Sequence, residues 1–409
     1  LALRRGGICG GGDSAVAATG MNRGLTLVTT TYPPVVGGSE VEGQRICAGL
    51  RARGWSVTVL CRSTPPMPDT ASWNDECGTP VRQWGRGWPL WMQGYVHALG
   101  VAWYLWSHRA SYQSVYFLMT GLQLATALPV ARLLGKQILM KFSGSNTIQP
   151  LTGSMLGRME LAMLGRWAES VMVLNPAMAA EAVVAELPES KLLWMPNPVD
   201  VDIFAPASGR DRAEARRRLG LAADAECVLF VGRLAPEKEL GVLIDAFCAV
   251  AGRRADAVLV LVGDGPLRAK LEAQAALLGL KARIVFAGVA NENGVRSWLA
   301  AADLFALLSS LEGFPVSLLE AMACGLSAVV SDIPANRQLV EDGRQGLVVE
   351  LHDVDAAARA IETLLASPET RARQGAAGRA LVAEHYTSAQ VLDRYERLLT
   401  TGTGRTSTR

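Results

Sequence analysis

Pro196-Asn197-Pro198-Val199-Asp200 divides the chain into two halves of similar design. Two prolines within three residues bar regular structure, and Phe204-Ala205-Pro206 prolongs the irregular stretch, which predicts an interdomain linker. Upstream, short apolar runs at 25–30, 56–61, 114–117, 137–141, 170–174 and 192–195 alternate with segments of helical pattern. Downstream, runs at 227–231, 258–262, 284–287, 304–307, 328–330 and 346–349 repeat the scheme. Such alternation implies parallel sheets with crossover helices. The expected fold class is therefore α/β, with two doubly wound Rossmann-like domains facing a cleft.

The expected domains are residues 21–196 and 197–384, followed by a helical pattern at about 385–400. Residues 1–20 read as a disordered leader without an apolar signal core, Met21 as the natural start, and 401–409 as a disordered polar tail. A chain of 409 residues, 50% hydrophobic, exceeds what one compact core holds. The net charge of +2, with no basic stripe, excludes a nucleic-acid binder.

The seven cysteines are scattered through apolar stretches such as those around Cys47 and Cys248, without paired spacing, and read as buried thiols in a reducing, cytoplasmic setting. Cys324 has no histidine near it in sequence and reads as packing. His97, His108, His352 and His385 form no metal-ligand pattern. Residues 87–107 contain no Asp, Glu, Lys or Arg. Pro89, Gly94 and Gly100 argue against a membrane span, which leaves a buried domain helix or a surface contact. Trp84, Trp88, Trp91, Trp103 and Trp106 suit an interface, so segment 84–106 offers a peripheral contact with the inner face of a membrane. The sequence carries no signal of oligomeric state.

In open α/β sheets, ligands bind beyond the carboxyl ends of the strands, and those ends carry the unusual residues here. The 227–231 run leads into Gly232-Arg233, with Lys238 on the same loop: a forked and a mobile cation suited to a diphosphate without a metal. The 258–262 run ends in Gly263-Asp264-Gly265-Pro266, where glycine permits a tight turn and close approach to a ligand. Glu312-Gly313-Phe314-Pro315-Val316-Ser317-Leu318-Leu319-Glu320 is the sharpest signal. Pro315 fits the first turn of a helix whose leading amides, near Val316 and Ser317, are free to take a phosphate oxygen. Eight residues of helix would separate the two glutamates by about 12 Å. That exceeds the roughly 5 to 9.5 Å of a glycosidase pair, so each glutamate reads as holding a different sugar ring. Asp200-Val201-Asp202 and Asp353-Val354-Asp355 read as turn and cap chemistry rather than as metal ligands.

Across nearly its whole length the chain resembles the retaining glycosyltransferases of the GT-B fold, glycosyltransferase family 4 (group 1). The resemblance rests on Pro33-Pro34 with Gly37-Gly38-Ser39-Glu40, on the linker with Phe204, and on Val231-Gly232-Arg233 with Lys238. Gly263-Asp264-Gly265-Pro266, Phe286-Ala287-Gly288-Val289, Ala302-Asp303 and the Glu312–Glu320 signature complete it. It implies that Arg233 and Lys238 grip the donor diphosphate, that Glu312 contacts the transferred sugar and that Glu320 takes the ribose hydroxyls. It also implies that Gly313 to Ser317 complete the cradle, that Gly38 lies against the phosphates from the opposite domain, that Val289 lies near the base, that 21–196 is the acceptor side and 197–384 the donor side, and that the helix at about 385–400 packs back onto the first domain. Many relatives carry a histidine after the strand that here is 137–141, where this chain reads Lys141-Phe142-Ser143-Gly144-Ser145-Asn146. Lys141, Ser143 or a backbone carbonyl is the expected replacement. Glu239 stands where glycine is common.

The implied activity is metal-independent transfer of a hexose from a UDP- or GDP-linked sugar to a hydroxyl acceptor of envelope or polysaccharide synthesis, with retained configuration and no cofactor. The alternatives are a non-catalytic nucleotide-sugar-binding partner subunit and a sugar-nucleotide epimerase of related fold.

Overall fold

The computed structural model describes residues 23–34, 38–64, 67–144 and 146–401. The expected leader at 1–20, the tail from 402, Gly37 and Ser145 lie outside the described residues.

The first sheet contains β1 (Gly24–Val28), β2 (Ser56–Arg62), β3 (Ser72–Asn74), β4 (Pro80–Trp84), β5 (Ser114–Phe117), β6 (Gln137–Lys141), β7 (Ser170–Val173) and β8 (Leu192–Trp194). Their spatial order is β3-β4-β2-β1-β5-β6-β7-β8, parallel except for the β3–β4 pair. The second sheet contains β9 (Glu226–Val231), β10 (Ala257–Val262), β11 (Ile284–Gly288), β12 (Leu304–Leu307), β13 (Ser327–Ser331) and β14 (Gly346–Val349). Its order is β11-β10-β9-β12-β13-β14, parallel throughout. The order reverses direction at β1 in one sheet and at β9 in the other, so each has a switch point where a ligand crevice opens.

Strands β3 and β4 lie outside the six sequence-predicted for this half. They escape a search for apolar runs because neither is one: β3, at the sheet edge, has no buried residue, and along β4, between β3 and β2, buried Val81 and Gln83 alternate with exposed Pro80 and Arg82. Central strands β1, β5 and β6 are buried at every position, which is why they read as continuous apolar runs.

The crossover helices of the first half are α1 (Gly38–Ala52), α2 (Leu90–Ser107), α3 (Leu122–Leu133), α4 (Gln149–Thr152), α5 (Met155–Trp167) and α6 (Pro176–Val184). Those of the second are α7 (Gly209–Leu219), α8 (Leu240–Arg253), α9 (Arg268–Leu277), α10 (Glu292–Ala301), α11 (Val316–Ala323), α12 (Pro334–Arg337), α13 (Val354–Ala366) and α14 (Pro368–His385). The last helix, α15 (Ser388–Thr401), returns to the first domain. Its Val391, Tyr395 and Leu399 enter the core formed by Ile46, Leu50 and Tyr116, and the Tyr116 and Tyr395 hydroxyls lie 3.1 Å apart.

The chain therefore crosses between domains twice, and the crossings are hydrogen-bonded to each other. The Val199 amide donates to the Tyr386 carbonyl at 3.0 Å, and the Ser388 amide to the Val199 carbonyl at 2.9 Å.

Glu239 sits in the left-handed region at φ 49°, ψ 37°, between the turn Pro236–Lys238 and α8. A side chain there costs roughly 1 kcal/mol that glycine avoids. Glu239→Gly is expected to stabilise the protein by about that amount in denaturant unfolding; a loss of stability would show that the carboxylate, 3.6 Å from His352 Nδ1, outweighs the backbone strain.

Candidate functional site

The crevice of the second sheet is built from the loops that follow β9, β10, β11 and β12. Backbone hydrogen bonds lace the first three together: Gly232 N to Val262 O at 2.9 Å, Leu234 N to Asp264 O at 2.9 Å and Gly263 N to Gly288 O at 2.8 Å. A Cβ on Gly263, at φ 135°, would lie 1.9 Å from the Gly232 carbonyl oxygen, and one on Gly265 would lie 2.4 Å from the Leu234 carbonyl oxygen. The glycines thus serve a close approach between loops, where the sequence suggests an approach to ligand.

On this base stand the cations. Arg233 is exposed and its Nη2 donates to Glu237 Oε1 at 2.6 Å. Lys238 is held deeper, with Nζ 2.6 Å from Glu312 Oε1, the oxygen that also accepts from Ser309 Oγ at 2.8 Å. The Ser310 amide donates to the Glu237 carbonyl at 2.9 Å, joining the cation loop to the segment after β12. Glu312 is consequently half-buried and clamped.

Gly313, Phe314 and Pro315 are buried, and α11 begins at Val316 without a side-chain cap. The amides of Val316, Ser317 and Leu318 therefore have no partner within the helix, and the positive end of its dipole faces the loop. Val289, just past β11, is 64% exposed.

Glu320 is buried on α11, and its Oε1 accepts from Arg45 Nη2 at 2.9 Å. Burial pushes the Glu320 carboxyl above the usual carboxylate range, with Arg45 pulling it back. Arg45 belongs to α1 of the other domain, seven residues along the same helix from Gly38, or about 10 Å of axis. Gly38 has open space where a side chain would be.

Residues 211–381 match the family described as glycosyl transferases group 1. Over that stretch, most of the second domain, the chain is similar to that family. It is 33% identical over 231 residues to a GDP-mannose-dependent alpha-(1-6)-phosphatidylinositol monomannoside mannosyltransferase of Mycolicibacterium smegmatis, a match covering 55% of this chain and 60% of that protein. It is 34% identical over 169 residues to an Escherichia coli UDP-Gal:alpha-D-GlcNAc-diphosphoundecaprenol alpha-1,3-galactosyltransferase, covering 41% and 43% of the two. The matches thus span less than two thirds of these relatives' own lengths. Among solved structures, Anabaena HepE in complex with UDP and glucose superposes with a TM-score of 0.78 at 20% identity, over 92% of this chain and 99% of that one. Sucrose-phosphate synthase from Thermosynechococcus elongatus gives 0.78 at 21%, over 93% and 99%. These likenesses establish the GT-B fold.

The two candidates for the missing histidine part company. Lys141 has no exposed surface; its ammonium contacts Glu42, donates to Asn197 Oδ1 at 3.0 Å and lies 3.5 Å from the Tyr395 hydroxyl. Burial pushes the Lys141 ammonium below its ordinary value. Lys141 is thus committed to a buried junction of α1, the linker and α15 and does not face a substrate. Ser143 is half-buried and donates to the Leu118 carbonyl at 3.2 Å.

Neither D-x-D motif gathers ligands. Asp200 Oδ1 accepts from the Asp202 amide at 3.0 Å, and Asp353 caps α13 through the Ala356 amide at 2.8 Å. The Cys324 thiol is buried and pushed up to about 12, consistent with packing.

The sequence did not single out Asn175, and it offered Asn197 only as part of the linker. Asn175 Nδ2 donates to the Gly313 carbonyl at 2.8 Å while its Oδ1 caps α6, and Asn197 Nδ2 lies 3.5 Å from the Phe314 carbonyl. The dipeptide Asn175-Pro176 does announce a helix start, but not the second use of the same side chain. Glu42 and Arg45 lacked a signal because a charged residue in α1 reads as surface.

Removing one member of a buried ion pair strands the other. Lys141→Met is expected to destabilise the protein by about 3–5 kcal/mol, and adding Glu42→Leu should recover most of it. Denaturant unfolding of the two variants checks this; a single mutant of normal stability and lost turnover would instead make Lys141 catalytic.

Proposed function

We propose that the protein is a retaining hexosyltransferase that moves a sugar from a UDP- or GDP-linked donor to a hydroxyl acceptor. The observation that carries the reading is the gathering of Arg233, Lys238, Glu312 and the free α11 amides at the carboxyl ends of β9 and β12. The mannosyltransferase and galactosyltransferase named above use nucleotide-linked sugars, which supports the same class of donor.

In this reading the diphosphate lies between Arg233, Lys238 and the amides of Val316 and Ser317, which stabilise its growing charge as the glycosidic bond breaks, without a metal. The Lys238 ammonium carries three donors, so it can keep Glu312 while binding a phosphate oxygen. Glu312, oriented by Lys238 and Ser309, accepts from hydroxyls of the transferred hexose, and Glu320 from those of the ribose. Gly38 offers the approach from the other domain, and Val289 an apolar contact for the base. The leaving phosphate takes the acceptor's proton on the face it leaves, which retains configuration. Closure of the domains over the donor excludes water and favours transfer over hydrolysis.

A panel of UDP-, GDP-, ADP- and TDP-sugars is expected to contain one donor that raises the melting temperature and is consumed, with Lys238→Ala or Glu320→Ala lowering turnover at least about 100-fold in a folded protein. Near-normal turnover in either variant would overturn these assignments. Saturable binding without turnover over a broad acceptor set would favour a non-catalytic binder.

No helix among the described residues is long and apolar enough to cross a membrane. We further propose that the protein works in the cytoplasm, docked on the anionic inner face of a membrane through α2. Trp91, Tyr95, Leu99 and Trp103 recur every fourth residue and are all more than half exposed, while His97, Ala98, Val101 and Leu105 are buried on the opposite side. The helix carries no carboxylate, and Arg86 and Arg109 flank it. Helix α3 packs against both α2 and α5, and α5 exposes Met155, Met159 and Arg158. Interfacial aromatics with basic flanks fit an anionic lipid surface. Sedimentation with phosphatidylglycerol vesicles, but not with phosphatidylcholine alone, is expected, and Trp91→Ser with Trp103→Ser should weaken it by about tenfold. Equal binding by the double variant, or self-association that it abolishes, would assign the stripe elsewhere.

A further inference from the structure

Arg45 is a charged residue that spans both domains at the donor site. From α1 its Nη2 donates to Glu320 Oε1 on α11 at 2.9 Å and to Glu292 Oε2 on α10 at 3.1 Å. Its guanidinium carbon also lies 5.6 Å from the centre of the Phe204 ring, in the linker. One side chain thus bears on the first domain, the linker and two helices of the second.

The two carboxylates are not equivalent. The side chains of Arg45 and Glu320 are 17% and 10% exposed, whereas Glu292 is 45% exposed. A solvent-screened pair such as that with Glu292 contributes little, while a shielded one is strong and sensitive to the loss of either partner. Arg45 takes only Oε1 of Glu320; among the described residues Oε2 accepts no hydrogen bond and is not sealed from solvent.

We propose that Arg45 is a cross-domain positioning residue of the donor site, fixing Glu320 by one oxygen and leaving the other for a ribose hydroxyl, so that the ribose subsite is complete only when the domains stand together. This rests on the reading of Glu320 as the ribose acceptor. The charge environment agrees. Burial and the Glu292 carboxylate both push Glu320 up, and Arg45 on α1 is the cation that counters them. On the far side Cys324 is in the field of Glu320, and of Arg296 and Arg379. Losing Arg45 raises the Glu320 carboxyl further, and a protonated carboxyl is the poorer acceptor, so the acid limb of ribose binding moves to higher pH.

The test is calorimetric titration of the full chain with UDP and GDP, each against its 2′,3′-dideoxy analogue, for wild type, Arg45→Met and Arg45→Lys. Wild type should prefer one ribonucleotide over its dideoxy form. Arg45→Met should weaken the ribonucleotide by on the order of tenfold and leave the dideoxy form nearly unchanged, collapsing the discrimination. Its acid limb should shift upward, and Arg45→Lys should restore much of both. An equal loss for both forms would make Arg45 merely structural and overturn the proposal, as would unchanged discrimination in Arg45→Met. If wild type binds neither UDP nor GDP, the donor reading itself fails; if it binds and discriminates but Arg45→Met does the same, only the role of Arg45 fails.

Discussion

Val199 pairs with the chain on either side of Thr387, and the relation between the two sheets depends on that short backbone ladder. Both connections between the domains pass through it. An unpaired double crossing would leave two separate connections; hydrogen bonding joins them into one. Buried side chains then secure each flank. Asn197 meets Lys141 on the side of the first domain and approaches the Phe314 carbonyl on the second, while the Phe314 and Tyr386 rings lie 5.6 Å apart.

The signature loop is accordingly not a property of the second domain alone. Its backbone carbonyls at Gly313 and Phe314 are approached by Asn175 and Asn197, from the first domain and the linker. A buried carbonyl without a donor is costly, so separating the domains by more than a hydrogen bond's reach would expose or orphan these groups. The loop that presents Glu312 and the α11 amides is therefore best ordered in the arrangement seen here, which couples domain closure to site geometry.

The second sheet was legible because each of its strands is an apolar run, five of the six ending at glycine or charge, and Glu312 to Glu320 announced a helix start through Pro315. What escaped was whatever depends on a partner distant in sequence. Lys141 looked like a replacement for histidine at a strand end; only the fold brings Glu42, 99 residues away, to neutralise it. Arg45 and Glu320 are 275 residues apart and obey no local rule. Strands β3 and β4 were missed for a different reason: β3 is three residues long with none buried, and β4 buries only alternate residues, so neither forms an apolar run. Residue type indicates chemistry, whereas pairing decides whether that chemistry is available.

Pairing also orders the cations by how readily they can serve a diphosphate. Arg233 holds Glu237 in a solvent-exposed pair worth between zero and about 1 kcal/mol, so releasing it costs little and a phosphate can recruit it early. Lys238 and Glu312 are 17% and 10% exposed, and separating them would leave two charges poorly solvated. An incoming phosphate would therefore join that pair rather than break it, using the remaining donors of the ammonium. In that arrangement the carboxylate of Glu312 would stay beside the cation while accepting from sugar hydroxyls. On the proposed reading, exposed Arg233 would draw the donor in, and shielded Lys238 would set where it comes to rest.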